Sequence, residues 1–126
     1  MADDAKRENV VLDKSYAFAV RVVRLYQYLT DEKREYVLAK QVLRSGTSVG
    51  ANVEEAIAAS SRPDFRNKLD IAAKEARETN YWLRLLRDTS YISEDQFKSI
   101  HTDCLELQKI ISSILIKLKS KTENNS

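Results

Sequence analysis

The sequence predicts an all-α protein, an antiparallel up-down-up-down four-helix bundle built as a single domain over residues 1–126. Three observations lead to this prediction. The chain has only two Gly and one Pro, the residues that strand-and-turn proteins need at their corners. Apolar residues recur at helical spacing in four long segments. Short polar connections near residues 30–33, 60–63 and 89–92 separate these segments.

The first predicted helix covers residues 13–29 and follows a short flexible arm over residues 1–12. We expect Asp13 or Ser15 to cap its N-terminus. One apolar stripe at steps of four, three and four residues is formed by Phe18, Val22, Leu25 and Leu29. A second stripe, on nearly the opposite side, is formed by Tyr16, Val20 and Val23. Because one bundle core needs only one apolar face, the second stripe predicts further burial, which includes burial against another subunit.

The second predicted helix covers residues 34–59 and contains both glycines of the chain. Its core face consists of Leu38, Val42, Gly46, Val49, Val53 and Ala56 or Ile57. A glycine inside a helix costs about 1 kcal/mol relative to Ala. Gly46 and Gly50 therefore predict either a bend in the helix or the close approach of another backbone.

The third and fourth predicted helices begin at recognisable caps. Ser61, with Pro63 in the first turn, predicts a helix over residues 62–88. Ser93 followed by Gln96 is a capping-box pattern, and it predicts a helix that runs to about residue 119 before a frayed tail over 120–126. The core face of the last helix alternates steps of three and four residues: Phe97, Ile100, Cys104, Leu107, Ile111, Ile114 and Leu118.

Charge and cysteine content limit the function classes. The chain has 21 Lys and Arg against 19 Asp and Glu, for a net charge of +2, which permits an RNA or DNA partner but does not demand one. One Cys excludes an intrachain disulfide and a multi-cysteine metal site. There is no apolar run of membrane-spanning length and no signal-peptide pattern. We therefore expect a cytoplasmic protein with no membrane partner.

Catalytic and metal-binding patterns are missing from the sequence. The only His, His101, flanks the core face of the last helix and is expected to be a structural or surface residue. Cys104 occupies a core position and is expected to act as a small buried apolar side chain. Glu54, Glu55, Glu75 and Glu78 lack the His ligands that accompany carboxylates in the metal sites of helical bundles. We predict no enzymatic activity, no catalytic residues, no metal and no cofactor.

A polar line on the second helix is the most informative feature of the sequence. It consists of Arg44, Ser48, Asn52 and Glu55, which span about 80° of the helix surface. The third helix offers polar and aromatic partners over a comparable length: Glu75, Glu78, Thr79, Tyr81 and Trp82. A solvated face would have the same pattern. Because small residues surround the line, including Ser45, we favour a buried or interfacial hydrogen-bond network that contains Glu75 and Glu78.

Two helix flanks carry basic residues next to tyrosines. The flank on the first helix consists of Lys14, Arg21, Arg24 and Tyr28, and that on the third of Lys74, Arg77, Tyr81 and Arg84. Cations interleaved with tyrosines suit phosphate contact and base stacking, although a solvated face looks the same. Both flanks are candidate nucleic-acid contacts, and the acidic residues Asp70, Glu78 and Asp88 dilute the second.

Three segments, residues 14–29, 40–56 and 74–88, resemble one protein family. The middle segment carries the pattern Arg-Ser-x-x-Ser-Val-x-x-Asn-x-x-Glu, formed by Arg44, Ser45, Ser48, Val49, Asn52 and Glu55. Over roughly residues 10–118 the chain resembles the four-helix-bundle proteins named after the intervening sequences of bacterial 23S ribosomal RNA genes. The resemblance implies an antiparallel four-helix bundle and a homopentamer. Related accessory proteins of diversity-generating retroelements work with a reverse transcriptase and bind nucleic acid.

Two functional hypotheses follow from the residues and the resemblance. The first is a non-enzymatic, oligomeric protein that binds RNA or DNA as an accessory factor, in which assembly multiplies weak basic faces. The alternative is a protein–protein interaction scaffold with no nucleic-acid role, which uses the second apolar stripe of the first helix and the polar line of the second.

Overall fold

The computed structural model describes residues 2–124, with side chains from residue 5 to residue 120. The chain forms four helices: α1, Ala2–Asp31; α2, Val37–Ile57; α3, Arg62–Asp88; and α4, Glu94–Asn124. Residues 2–124 contain no β-strand. Each helix packs against its neighbours in the chain and α4 packs against α1, whereas the backbones of the two diagonal pairs lie farther apart in this part of the chain. The fold is therefore the predicted all-α, antiparallel up-down-up-down four-helix bundle.

The starts of α3 and α4 agree with the prediction because capping side chains fix them. Ser61 Oγ accepts a hydrogen bond from the Asp64 backbone N–H at 3.2 Å, and Pro63 lies in the first turn of α3. Before α4, the Ser93 N–H donates to Gln96 Oε1 at 2.8 Å and the Gln96 N–H donates to Ser93 Oγ at 3.1 Å. This reciprocal pair is the capping box that the sequence predicts.

The start of α1 differs from the prediction. The helix begins at Ala2, whereas the sequence predicts an arm over residues 1–12 and a helix from Asp13. Residues 2–12 contain no Gly or Pro, the residues least compatible with a helix, and Val11 is fully buried in the core. Ser15, a predicted cap, lies inside the helix, where its hydroxyl donates to the Leu12 carbonyl oxygen at 3.1 Å. The predicted start was therefore wrong because a buried residue was assigned to the arm.

The other two differences concern the ends of α2 and α4. The predicted segment 34–59 is longer than α2, because Arg34 has a φ of 52°, a left-handed conformation that a helix cannot include. In contrast, α4 continues to Asn124, past the predicted end near residue 119. Residues 125 and 126 of the predicted tail lie outside the described residues.

The core lies between the four apolar faces. Six of the seven predicted core positions of α4 are buried, and Leu118 is partly buried. On α1 the predicted stripe is buried at Phe18, Val22 and Leu29, while Leu25 packs against the core from its edge. No helix within residues 2–124 is long and apolar enough to cross a membrane.

Gly46 and Gly50 lie where α2 meets α1. A Cβ atom at Gly46 would lie 2.7 Å from both Cγ atoms of Val22, and one at Gly50 would lie 3.1 Å from the Ser15 carbonyl oxygen. Real Cβ atoms do not approach other atoms as closely as the first of these distances. At Gly50 the close neighbour is the backbone of α1, as one of the two sequence alternatives predicts, whereas at Gly46 it is the Val22 side chain.

Candidate nucleic-acid interface

A cluster of charged and aromatic side chains joins α2 to α3 at the surface. Arg44 Nη1 pairs with Glu75 Oε2 at 3.2 Å, and Arg44 Nη2 hydrogen-bonds the Glu78 carboxylate. The indole Nε1 of Trp82 donates to the same carboxylate at 3.3 Å. We call these four residues the Arg44–Trp82 cluster. Half of the Arg44 side chain is exposed (51%), so the cluster covers the seam between two helices and is not a buried network.

The rest of the predicted polar line does not join this cluster. Asn52 Nδ2 donates to the carbonyl oxygen of Ser48 at 2.9 Å and to its hydroxyl at 3.1 Å, so both side chains are engaged within α2. Glu55 pairs with Lys68 of α3 at 3.2 Å. The predicted line is therefore divided into three separate sets. Lys68 was not predicted, although the antiparallel register that sets Arg44 against Glu78 also brings Glu55 to Lys68.

A buried hydroxyl pair lies beneath the surface cluster. Thr79 Oγ1 lies 2.9 Å from Ser45 Oγ and 2.8 Å from the Glu75 carbonyl oxygen. Both side chains are fully buried, so water cannot reach this polar contact between α2 and α3. Both residues appear near the predicted polar line, but the contact between them was not predicted. Each lies three residues after one buried core residue and four before the next, and this helical spacing was the available signal.

Two cations of the predicted α1 flank are engaged by α4. Lys14 Nζ lies 2.6 Å from Glu106 Oε1, and this hydrogen bond and charge raise the pKa of Lys14. Arg21 Nη1 lies 2.6 Å from Asp103 Oδ2 and 3.0 Å from the Ser99 carbonyl oxygen, and Arg21 Nη2 donates to Ser99 Oγ at 2.7 Å. These contacts bind α1 to α4. Of the three predicted cations, only Arg24 has no ion pair with a described residue.

The cations of the predicted basic flank of α3, in contrast, are not engaged by another helix within the described residues. The flank consists of Lys74, Arg77, Tyr81 and Arg84, which we call the α3 strip. At 100° and 1.5 Å per residue, these positions lie within about 80° of the helix surface and span about 15 Å along its axis. All four side chains are exposed. Within the described part of the chain, the three cations form no hydrogen bond or ion pair through their side chains.

Acidic neighbours reduce the positive charge of the α3 strip less than the sequence predicts. Glu78 faces α2, where Arg44 and Trp82 engage its carboxylate. Asp88 accepts a hydrogen bond from Arg87 Nε at 2.8 Å. Asp70, one turn before Lys74, is exposed. Two of the three acidic residues are therefore partly neutralised by neighbouring cations.

Tyr81 is the aromatic member of the α3 strip, and its ring packs against Trp82. The ring centroids lie 4.9 Å apart with an angle of 77° between the planes, an edge-to-face contact. Tyr81 is 49% exposed, whereas Trp82 is partly buried against the core. The phenol ring therefore lies at the surface and is supported by the Trp82 ring.

A family model described as 23S rRNA-intervening sequence protein matches residues 7–113. The chain belongs to this family. It is also similar to a crystal structure of a protein with unknown function from the S23 ribosomal protein family of Bacteroides thetaiotaomicron. The two are 56% identical with a TM-score of 0.85, over 86% of this chain and 97% of that one. No curated protein matches this chain.

In this member of the 23S rRNA-intervening sequence family, the two side chains best suited to catalysis have structural partners. His101 Nε2 lies 2.9 Å from Asn80 Oδ1, and its ring stacks on Phe97 at 4.3 Å. Burial and the positive charges of Arg87 and Arg84 lower the pKa of His101, so the ring is neutral near pH 7. Burial raises the pKa of the Cys104 thiol to about 12, which removes its nucleophilic form at that pH. The described residues contain no group of three or more His, Cys, Asp or Glu placed to hold a metal ion.

The second apolar stripe of α1 faces outward in this family member. Tyr16 is 67% exposed, and Val20 and Val23 are 37% and 38% exposed. Beside the stripe, a groove of about 1000 Å³ runs between α1 and the start of α4, with Arg24 and Tyr28 among the residues that line it. The stripe is therefore not buried within one chain. The predicted burial against another subunit stays a prediction.

Proposed function

We propose that this protein is a non-enzymatic, oligomeric accessory factor of the cytoplasm that binds RNA or DNA through the α3 strip. One observation carries the proposal: Lys74, Arg77 and Arg84 are exposed, and their side chains form no ion pair with any described residue. Cations without internal partners are available to phosphate oxygens, and Tyr81 among them offers a ring to a base.

The α3 strip is a better candidate than the basic flank of α1. Lys14 and Arg21 already hold carboxylates of α4, and a phosphate would have to compete with Glu106 and Asp103 for them. Arg24 alone would contribute one phosphate contact. The proposal therefore assigns the principal contacts to α3 and leaves the α1 flank a structural role.

Assembly supports binding through such a small strip. Three cations on one chain give weak electrostatic affinity, but copies in one oligomer act together on a single long ligand. The outward stripe formed by Tyr16, Val20 and Val23 is the surface that we assign to self-association, and the family resemblance favours a homopentamer. Light scattering at micromolar concentration tests this part, since a monomer would contradict it. Val20→Asp is expected to lower the oligomer mass.

The experiment that tests nucleic-acid binding is a fluorescence anisotropy titration with labelled structured RNA and duplex DNA at about 50 and 200 mM salt. For duplex DNA the slope of log K against log salt is about −0.9 per phosphate neutralised. Three contacts give a slope of about −2.7, which corresponds to an affinity loss of roughly 42-fold between the two salt concentrations. With Arg77→Gln and Arg84→Gln combined, one contact remains and the loss falls to roughly 3.5-fold.

A matched control variant separates the strip from bulk charge. Lys98→Gln with Lys109→Gln removes the same two charges from exposed positions of α4 that form no ion pair within the described residues. We expect this variant to bind almost as well as the wild type. Equal weakening by both double variants would contradict the assignment to α3, and no binding at the lower salt concentration would contradict a nucleic-acid role altogether.

The alternative function is a protein–protein interaction scaffold, and one specific observation favours it. The exposed apolar stripe and its groove on α1 form a surface suited to a protein partner. The polar line of α2 adds little to this alternative because its side chains pair within the chain. Pull-down of one specific partner, lost in Val20→Asp, together with no RNA or DNA binding at any salt, would establish the scaffold.

A further inference from the structure

Tyr81 lies between two arginines on the outer face of α3. Arg77 precedes it by four residues and Arg84 follows it by three, which places their Cα atoms about 6 Å and 4.5 Å from that of Tyr81 along the helix axis. Neither arginine has an ion pair in the part of the chain that the structure describes. An exposed phenol ring and two available guanidinium groups on one helix face combine the two contacts that proteins use for one nucleotide, base stacking and phosphate neutralisation.

The position of the Tyr81 ring is set by contacts that begin on α2. Arg44 fixes the Glu78 carboxylate, and Glu78 accepts the indole N–H of Trp82 at 3.3 Å. Trp82 in turn packs edge-to-face with Tyr81. Each step is a directional contact, so the Arg44–Trp82 cluster restricts the orientations of the Tyr81 ring. A ring that is already oriented loses less conformational entropy when a base stacks on it.

The accessibility of base faces selects the class of nucleic acid. In a duplex both faces of an internal base are covered by its neighbours, and a surface tyrosine could contact only the backbone or a terminal pair. In a single strand the faces are available, and stacking on aromatic side chains is the usual source of affinity that does not depend on sequence. A surface that combines cations with an exposed, supported ring therefore fits single strands better than duplexes.

We propose that the α3 strip binds single-stranded nucleic acid, with one base stacked on Tyr81 and phosphates on Arg77 and Arg84, and that the Arg44–Trp82 cluster positions the ring. This inference rests on the proposed function and narrows it to a ligand class. Tyr81 would contact the ligand directly, whereas Arg44, Glu78 and Trp82 are positioning residues.

The test compares three labelled ligands with equal numbers of phosphates: a short single strand, a duplex, and a single strand with abasic sites at its central positions. We expect the wild type to favour the base-bearing strand over both others. Tyr81→Ala should lower affinity for that strand by about tenfold and leave the abasic strand unaffected, since stacking of one base typically contributes about 5- to 150-fold. Tyr81→Phe should retain the preference. Tyr36→Ala, at another exposed tyrosine, is the control and should have no effect.

A second variant tests the positioning residues. Arg44→Gln removes a charge as well as a contact, so overall affinity is a poor measure of its effect. The affinity ratio of the base-bearing strand to the abasic strand cancels the electrostatic part, because both strands carry the same phosphates. We expect this ratio to fall in Arg44→Gln while the thermal unfolding curve stays cooperative. The fluorescence of Trp82, the only tryptophan of the chain, should change when the base-bearing strand binds.

The outcomes separate this inference from the proposed function. If the wild type binds no nucleic acid at about 50 mM salt, the proposed function fails and the inference fails with it. If the wild type binds all three ligands equally, or Tyr81→Ala leaves the ratio unchanged, nucleic-acid binding stands and the single-strand assignment is overturned. An unchanged ratio in Arg44→Gln overturns only the positioning role.

Discussion

The contact between α1 and α2 at Gly46 allows a quantitative test of the packing. In Gly46→Ala the new Cβ atom would lie 2.7 Å from both Cγ atoms of Val22 and 3.1 Å from its Cβ. Rotation of Val22 cannot resolve the clash, because a helical valine strongly prefers one χ1 rotamer and any rotamer leaves at least one methyl group near α2. The two helices must therefore move apart, and the core side chains between them lose contacts.

Two opposing terms determine the size of the effect. Replacing a helical Gly with Ala contributes about 1 kcal/mol of helix stability. Overpacking a well-filled interface costs about 1–3 kcal/mol. Because both methyl groups of Val22 clash, we expect the upper half of that range and a net destabilisation of about 1–2 kcal/mol. For a chain of 126 residues this lowers Tm by roughly 3–10 °C.

Thermal and urea unfolding, followed by far-UV circular dichroism at one fixed protein concentration, measure the change. The matched experiment is a double-mutant cycle with Val22→Ala, which removes the two clashing methyl groups. In that background the new Cβ atom would still lie 3.1 Å from the Cβ atom at position 22, a tight contact that a small shift relieves. Gly46→Ala should therefore destabilise this background much less than it destabilises the wild type. Equal destabilisation in both backgrounds, or a stabilised single variant, would refute the close approach of α1 and α2 at this position.

Three further predictions concern the other helix contacts. Arg21→Gln should destabilise the bundle by no more than about 1 kcal/mol in urea unfolding, because its ion pair with Asp103 is half-exposed. Cys104 should react with a thiol reagent at neutral pH only under denaturing conditions, because burial raises the pKa of its thiol to about 12. Folding lowers the pKa of His101, so the unfolded chain binds more protons just below pH 6.5, and stability should rise with pH through this range. His101→Gln should flatten that rise, and an unchanged pH profile would contradict the assignment.

The parts of the fold that were predictable are those with local signals. The start of α3 has a cap at Ser61 and a proline in the first turn, and the start of α4 has a reciprocal Ser93–Gln96 pair. The start of α1 has no comparable signal within the described residues. Its first two turns have helix-compatible composition, and only the tertiary burial of Val11 extends the core to that end of the bundle.

The residues of the candidate site were predictable from the sequence, but which of its cations have acidic partners was not. Both basic flanks look alike in sequence, since each alternates cations with a tyrosine. The difference between them is the partner helix: Glu106 and Asp103 of α4 face Lys14 and Arg21, while no acidic side chain engages Lys74, Arg77 or Arg84 among the described residues. These partners are more than eighty residues away from Arg21 in the chain, so only the register of α1 against α4 reveals them.

The position of α2 between α1 and α3 explains the pattern that carries the family resemblance. Within the pattern Val49 lies in the core and Ser45 contacts Thr79 of α3. Gly46 and Gly50, which occupy unspecified positions of the pattern, allow the close approach of α1. At the two ends of the pattern Arg44 and Glu55 pair with side chains of α3. Side chains engaged in this way specify how three helices pack, and they have few remaining groups to offer a ligand. The pattern therefore identifies the fold, and ligand recognition has to be sought on outward surfaces such as the α3 strip, which Arg44 reaches only through Glu78 and Trp82.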